Sequence, residues 1–447
     1  MIFKIKKLNK KYDPFNVYKI FKDQKNSIFL DSSKKDEKLS KFSFIGINPI
    51  CKFEVKDNST YINEKKVEGN PFDILSNLIK SFNIEIKDEL PFVAGAIGYF
   101  SYSMRKYCEE IKDHTVSLVN VPDSIFVFFE NIIIFDLIKD ITYISAISEN
   151  PDSSIYKVQE KMINNIEDNE NEVNQKNTVF HSNFSKNEYI ESIKKIKDYI
   201  INGDVYITNM TRHIWCDNYD DPFSIYKRLR KINKAPFSAY MNFEDFQIIS
   251  SSPERFISVT DKKVITSPIK GTTPRGKDKK EDEFYRDKLI NSEKDKSELL
   301  MVVDLERNDL SKVCKPHSVK VTELFKIEKY ATVFHLVSTI VGELDYNVDS
   351  VKCIKECFPG GSITGTPKIR TMEVISELEK IDRNIYTGCI GYFDLRGNCD
   401  FNIIIRTILK KDNKAYFGVG GGITIESNEE DEWYETIDKA KALMKVL

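Results

Sequence analysis

The sequence predicts an α+β chain built on antiparallel sheet, and three observations carry that expectation. Strand-like runs at 389–395, 399–409 and 414–419 are joined by the turns Arg396-Gly397-Asn398 and Lys411-Asp412-Asn413, which return the chain antiparallel to itself. A helix with 3.6-residue periodicity opens near Ser185, and a second one closes the sequence. At 447 residues with 41% hydrophobic content, the chain can bury a large core and exceeds one typical domain.

Taken in order, residues 1–163 read as an N-terminal region, 164–184 as a linker or exposed loop, and 185–447 as the region that carries the chemistry. The stretch Asn164 to Asn177 is polar, rich in Asn and Glu, and has little to bury. Beyond it, Ser185 and Glu188 form a capping-box pattern, Tyr189, Ile190, Ile193, Ile196 and Ile200 give an apolar stripe, and Gly203 stops the helix. Strands follow at 246–260 and 263–266. Asp295 and Glu298 then stand one helical turn apart, ahead of the apolar run Leu299 to Val303. In the final helix, Ser427 and Glu430 suggest a capping box; Trp433, Ile437, Ala440, Met444 and Leu447 form the apolar stripe, with Glu432, Glu435 and Lys439 on a neighbouring face.

Net charge -2 leaves no basic footprint, which argues against nucleic acid as a partner. The longest apolar stretch, Ile125 to Phe135, is broken by Glu130 and Asn131, and Met1 to Lys7 lacks a signal-peptide core, so neither membrane nor secretion is expected and the chain reads as cytoplasmic. The 8 cysteines include no CxxC pair and read as reduced thiols.

Lys270, in Ser267-Pro268-Ile269-Lys270-Gly271-Thr272-Thr273-Pro274-Arg275-Gly276, is the most informative residue, because a desolvated lysine in a Gly/Pro-shaped loop can act as a nucleophile. An ordinary surface lysine is the bland alternative, since 30% of residues are charged. Its company is the run Phe358 to Lys368, reading FPGGSITGTPK, and the triplet Gly420-Gly421-Gly422, both expected to form turns whose bare amides cradle an anion.

Together, PIKGTTPRG, ELLMVVDLERND, FHLVST, FPGGSITGTPK, GYF, IIIRT and GGGITIES resemble the chorismate-utilising family of anthranilate synthase large subunits and their relatives, over nearly the whole chain. The resemblance implies large antiparallel sheets packed as a sandwich with outer helices. It assigns Lys270, Glu254 and His335 to catalysis, and Thr272, Gly365, Thr366, Tyr392, Arg406, Gly421, Gly422 and Lys439 to substrate binding. Glu298 and Glu435 are implied as ligands of Mg2+, with Asp295 and Glu432 beside them. Ser32, Leu39, Ser40, Lys41, Phe42, Pro236, Phe237 and Ser238 match a tryptophan pocket.

Lysine rather than alanine at position 270 sides with members that aminate C4 of chorismate. There the lysine adds to C2, the C4 hydroxyl leaves with a proton from Glu254, and ammonia then expels the lysine. Relatives with alanine aminate C2 and eliminate pyruvate to give anthranilate, which is the alternative. Isochorismate and salicylate synthases use a lysine at the position of Ile207, and isoleucine cannot serve as that base. A non-catalytic chorismate-binding regulatory subunit is the alternative of another class. Many ammonia-using relatives have glutamine at Ile207 and Gln-Arg at Arg212-His213, where this chain departs. No cysteine here has the setting of a glutamine amidotransferase, so the resemblance implies a heterodimer with a separate amidotransferase subunit.

Overall fold

The computed structural model describes residues 1–34, 39–164, 178–329 and 333–447. The loop expected over 164–184 therefore lies, between 165 and 177, outside the described residues.

Two long strands organise the molecule. Phe42–Lys56 and Ser124–Asp136 pair antiparallel along their length, from Phe42 opposite Asp136 to Val55 opposite Ser124. Their β-branched and aromatic content suits a pleated surface buried on both faces. One half of this ribbon continues through Ile28–Asp31, Phe237–Asn242, Phe246–Ser252, Thr407–Lys411 and Lys414–Ile423 to Ile207–Asp217, and on its other edge to Ile141–Ser148 and Ile2–Lys7. The other half continues through Gly95–Phe100, Cys389–Asp394, Cys399–Ile403, Arg255–Thr260 and Lys263–Thr266 to Val333–Glu343, which is flanked by Ile269–Pro274 and Lys320–Lys329. Every strand ladder among the described residues is antiparallel, as the turn chemistry predicts.

The two halves enclose a common core in which Ala239, Met241, Ile248 and Leu409 of one meet Ile97, Tyr99 and Ile390 of the other. Helices cover the outer faces. Pro14–Phe21, Pro151–Asn164, Pro222–Ile232 and Glu429–Met444 pack on the first, while Pro71–Ser81, Glu293–Ser311 and Ser350–Cys357 pack on the second. Each fully buried Phe, Ile or Leu in these layers contributes about 1.5–3 kcal/mol.

Three local differences from the sequence expectation shape the site. The strand expected over 246–260 breaks at Pro253-Glu254, because proline has no N–H to give a ladder. The strand expected over 399–409 breaks before Thr407, with Arg406 at φ +53°. The breaks face each other: Ile403 N donates to Glu254 O at 3.0 Å and Ser251 N donates to Arg406 O at 3.1 Å. At this crossing both chains pass from one sheet to the other. Third, Gly420-Gly421-Gly422 forms no turn but runs extended within Lys414–Ile423, opposite Thr211, Met210 and Asn209.

The helix Lys186–Ile201 has both capping-box hydrogen bonds at Ser185 and Glu188. The last helix is capped by Asn428 instead of Ser427, and its buried positions are Glu432, Thr436, Ala440 and Leu443, which turns the expected polar face partly inward. No helix among the described residues is long and apolar enough to cross a membrane.

Candidate active site

Lys270 lies in the strand Ile269–Pro274, and its orientation is set by Gly271. The ladder with Val333–Glu343 slips a register between Lys270, opposite Leu336, and Thr272, opposite His335. Gly271 sits at φ +62°, where a Cβ would stand 2.7 Å from Leu289 Cδ1 and 2.9 Å from Asp295 Cγ, so only glycine fits this bulge. The lysine Nζ donates to Ser362 O at 3.1 Å. A Cβ on Gly422 would stand 3.3 Å from that Nζ, 3.2 Å from Ile207 Cδ1 and 3.7 Å from Glu298 Oε2. The extended glycine run is thus the bare wall of a cleft, and its function is close approach, without any special backbone angle.

Glu254, delivered by the crossing, is buried at 5% exposure. Ile269 N approaches its Oε1 at 3.4 Å. Burial pushes its carboxyl above the usual range, opposed by a hydrogen bond with Ser362 and by the charges of Lys270 and Lys439. An acid and an amine therefore meet across Ser362, at the turn FPGGSITGTPK provides.

Glu298 comes from the helix Glu293–Ser311, capped by Ser292, and Glu432 and Glu435 come from Glu429–Met444. A Cβ on Gly421 would stand 3.0 Å from Glu432 Oε2, 3.4 Å from Glu435 Oε1 and 3.7 Å from Lys439 Nζ. Lys294 bridges the two helices, 3.4 Å from Glu432 and 3.9 Å from Glu298. Burial pushes Glu298 and Glu432 upward, with the neighbouring carboxylates adding to it and the lysines opposing. Burial would raise Glu435 too, but Lys439, paired at 2.5 Å, together with Lys294 and Lys270 outweighs it and holds the carboxyl low. Lys439 Nζ also donates to Gly420 O at 2.8 Å, fixing the helix to the glycine strand.

Arg406 donates from Nη1 to Lys439 O at 2.5 Å. His335 Nδ1 lies 2.9 Å from Thr272 Oγ1, and burial, with Arg406 repelling, pushes its pKa down to about 4, so the ring is neutral near pH 7. Gly365 and Thr366 form a two-residue strand opposite Thr208 and Ile207, on the far edge of the strand that pairs with the glycine wall.

Tyr392 is placed elsewhere. It stacks on Phe92 with ring centroids 4.4 Å apart and lines a cavity of about 300 Å3 with Ser32, Leu39, Lys41, Phe42, Phe44, Pro236, Phe237 and Ser238. Ser40 stands just behind that lining, its hydroxyl donating to Lys34 O. Two residues of the cleft escaped the sequence reading as individuals: Ser362 lay within a quoted motif but its carbonyl role needs the fold, and Lys294 resembles any exposed helical lysine. Ile207, singled out in the sequence, reaches the glycine wall with its side chain through sheet pairing.

An acid and an amine facing one another in a backbone-walled cleft, with carboxylates from two further helices at its edge, define an enzyme site. The family of chorismate binding enzymes matches residues 25–445, and the chain belongs to it. It is 36% identical over 441 residues to aminodeoxychorismate synthase component 1 of Bacillus subtilis (strain 168), covering 96% of this chain and 93% of that protein. It is 33% identical over 461 residues to anthranilate synthase component 1 of Acetivibrio thermocellus, covering 97% and 92%. Among solved structures, anthranilate synthase component I from Streptococcus pneumoniae TIGR4 superposes with a TM-score of 0.83 at 30% identity, covering 91% of this chain and 93% of that one.

Proposed function

We propose that the chain is the large subunit of an aminodeoxychorismate synthase, which replaces the C4 hydroxyl of chorismate by ammonia and keeps the enolpyruvyl group, toward p-aminobenzoate and folate. The observation that carries the reading is Lys270: a primary amine at the glycine wall, hydrogen-bonded to Ser362 O, with the buried Glu254 beside the same residue. Its likeness to aminodeoxychorismate synthase component 1 of Bacillus subtilis (strain 168) supports it.

In this reading the Lys270 amine, once it has shed its proton, forms a bond to C2 of the ring. The ring double bonds shift and the C4–O bond breaks, its electron pair taking the proton of Glu254 so that water leaves. Ammonia then bonds to C4, the double bonds shift back, and the C2–N bond to Lys270 breaks. Burial pushes the Glu254 carboxyl above its usual range, the direction a proton donor near neutral pH requires. His335, neutral and held by Thr272, is a hydrogen-bonding partner for a ring hydroxyl. Arg406 and Lys439 would take substrate carboxylate charge.

Glu298 and Glu435 would hold Mg2+, with Asp295 and Glu432 near them. The donor set fits a hard divalent cation, being carboxylate oxygens from two helices whose mutual repulsion a cation relieves. Among the described residues no three of His, Cys, Asp or Glu converge into a ready-made metal centre. When bound, the ion would neutralise a substrate carboxylate.

A separate amidotransferase would supply the ammonia, since seven of the eight cysteines are buried and none is set as a nucleophile. The cavity at Ser32 and Phe44 would take tryptophan, as a structural or inhibitory ligand. Anthranilate synthase is the second reading, favoured by the 33% identity to the enzyme of Acetivibrio thermocellus. Mass spectrometry of products from chorismate, magnesium and ammonium chloride, without any partner, decides between them: aminodeoxychorismate supports the proposal, and anthranilate with pyruvate replaces it by the second reading.

A further inference from the structure

Glu306, in the helix Glu293–Ser311, is a buried carboxyl that no step above uses. Its Oε2 lies 2.8 Å from Thr266 Oγ1, and the same hydroxyl lies 2.7 Å from Phe256 O. Phe256 sits where the ladder between Arg255–Thr260 and Cys399–Ile403 slips register, and outside the pairs that Lys263–Thr266 makes. Phe256 has no partner residue in either register, and its carbonyl accepts from Thr266 Oγ1.

A hydroxyl has one proton and a backbone carbonyl can only accept. With that proton on Phe256 O, the Thr266 oxygen faces Glu306 as an acceptor. The short contact then needs a proton carried by Glu306 itself. We propose that Glu306 is held as a neutral carboxylic acid donating to Thr266, and that it is a positioning residue whose ionisation loosens the seat of Glu254.

The route to Glu254 is short. The Glu306–Thr266–Phe256 chain ties the helix to the backbone two residues after Glu254. A Cβ on Gly361 would stand 3.4 Å from Glu306 Cγ, so the same carboxyl packs under the turn that presents Ser362 to both Glu254 and Lys270. The charged groups facing it are Glu254 and Asp309, which repel a negative charge, and Lys368, which attracts one but is already bound to Asp309 and to Cys357 O. Lys312 is likewise committed to Asp309, at 3.3 Å. Burial, with that repulsion added against the pull of Thr266 and Lys368, pushes the carboxyl up to about 8.

The inference rests on the reading of Glu254 as the acid only in its catalytic arm, so two measurements need no turnover. Infrared spectra of the wild type minus Glu306→Gln should show a protonated carboxylic C=O band near neutrality that is lost as pH passes about 8. A carboxylate band in its place at pH 7 overturns the proposal. In urea unfolding, the native wild type keeps a proton that the unfolded chain has released between about pH 4.5 and 8, so its stability falls through that window and then levels off. The gap to Glu306→Gln should widen over that range, and a gap constant with pH overturns the idea. If Glu306→Gln does not fold, the difference is taken against Glu306→Met, and a carboxylate band at pH 7 in place of the acid band again overturns the proposal. In turnover, Glu306→Ala should lower kcat about tenfold at constant KM, while glutamine, which can donate to Thr266, restores it and flattens the alkaline limb. Glutamine and alanine variants of equal kcat and pH profile would remove the positioning role.

Discussion

The cleft at Lys270 and the cavity at Tyr392 lie in one molecule and are built on opposite plans. The cavity is walled by aromatic rings, Phe44 and Phe92 packing on Tyr392 with centroids 5.4 and 4.4 Å away, and two of its lining charges, Arg255 and Asp31, are held in ion pairs. Arg255 makes a two-pronged bond to Asp400 at 2.9 Å in each prong, and Asp31 is held by Arg230 at 2.6 Å and Tyr226 at 2.8 Å. Its aromatic walls suit recognition of a ligand. The cleft instead has bare glycine backbone for a wall and gathers Lys270 with Glu254, Glu298 and Glu432, three carboxyls pushed upward by burial against the pull of the nearby lysines. In the proposed reading, the capacity for catalysis comes from these ionisable groups being gathered at one wall.

Breaking the cleft should therefore cost turnover, and breaking the cavity should cost stability. Lys270→Ala should lower C4 amination about 1,000-fold or more, read as product mass, with folding intact by circular dichroism. Ordinary C4 product at full rate would end the covalent reading. Glu254→Gln should cost about 100-fold or more in kcat, since glutamine accepts the same space but gives no proton to a leaving hydroxyl; a normal kcat would return Glu254 to a structural role. Gly422→Ala places a methyl group against Lys270 and Glu298 and should cost about 10- to 100-fold in kcat/KM.

On the cavity side, Phe44→Ala should destabilise the fold by about 3–5 kcal/mol and leave kcat within about twofold. A large loss of kcat at unchanged stability would merge the two regions. Calorimetry with tryptophan sharpens the contrast, because binding should be lost in Phe44→Ala and kept in Lys270→Ala.

The smallest effect is on acid stability. His335 in the cleft and His213 in the strand Ile207–Asp217 are both pushed by burial down to about 4 from 6.5. Between those values the unfolded chain binds protons that the native chain refuses, so stability falls as pH drops from about 6.5 toward 4. Replacing either histidine by glutamine should reduce that slope by about one proton. An unchanged slope would mean that the ring is charged in the fold.

Much of the architecture was legible because it depends on local chemistry. The capping box at Ser185, the turns at Gly397 and Asp412, and the antiparallel ladders they enforce follow from side chains acting on their own backbone. Where the expectation missed, a distant partner decided. Gly420 to Gly422 reads as a turn in isolation, but ten consecutive pairings with Ile207–Asp217 draw it straight. Ser427 loses the cap to Asn428, because its hydroxyl is taken by the buried Glu432 at 2.7 Å.

The sequence by itself determined which reactive groups the protein owns: a lysine beside a glycine that permits its bulge, an acid after a proline that ends a strand, and glycines too small to fill a cleft. These are properties of residue type and of the nearest neighbours along the chain. Only the tertiary structure decided that Glu254 and Arg406 face one another at the crossing of two sheets, that Tyr392 belongs to the aromatic cavity, and that Glu306 lies beneath the turn at Ser362. Those outcomes depend on which strands pair across hundreds of residues, and the free energy that selects the pairing belongs to the whole buried core and to no single segment of it.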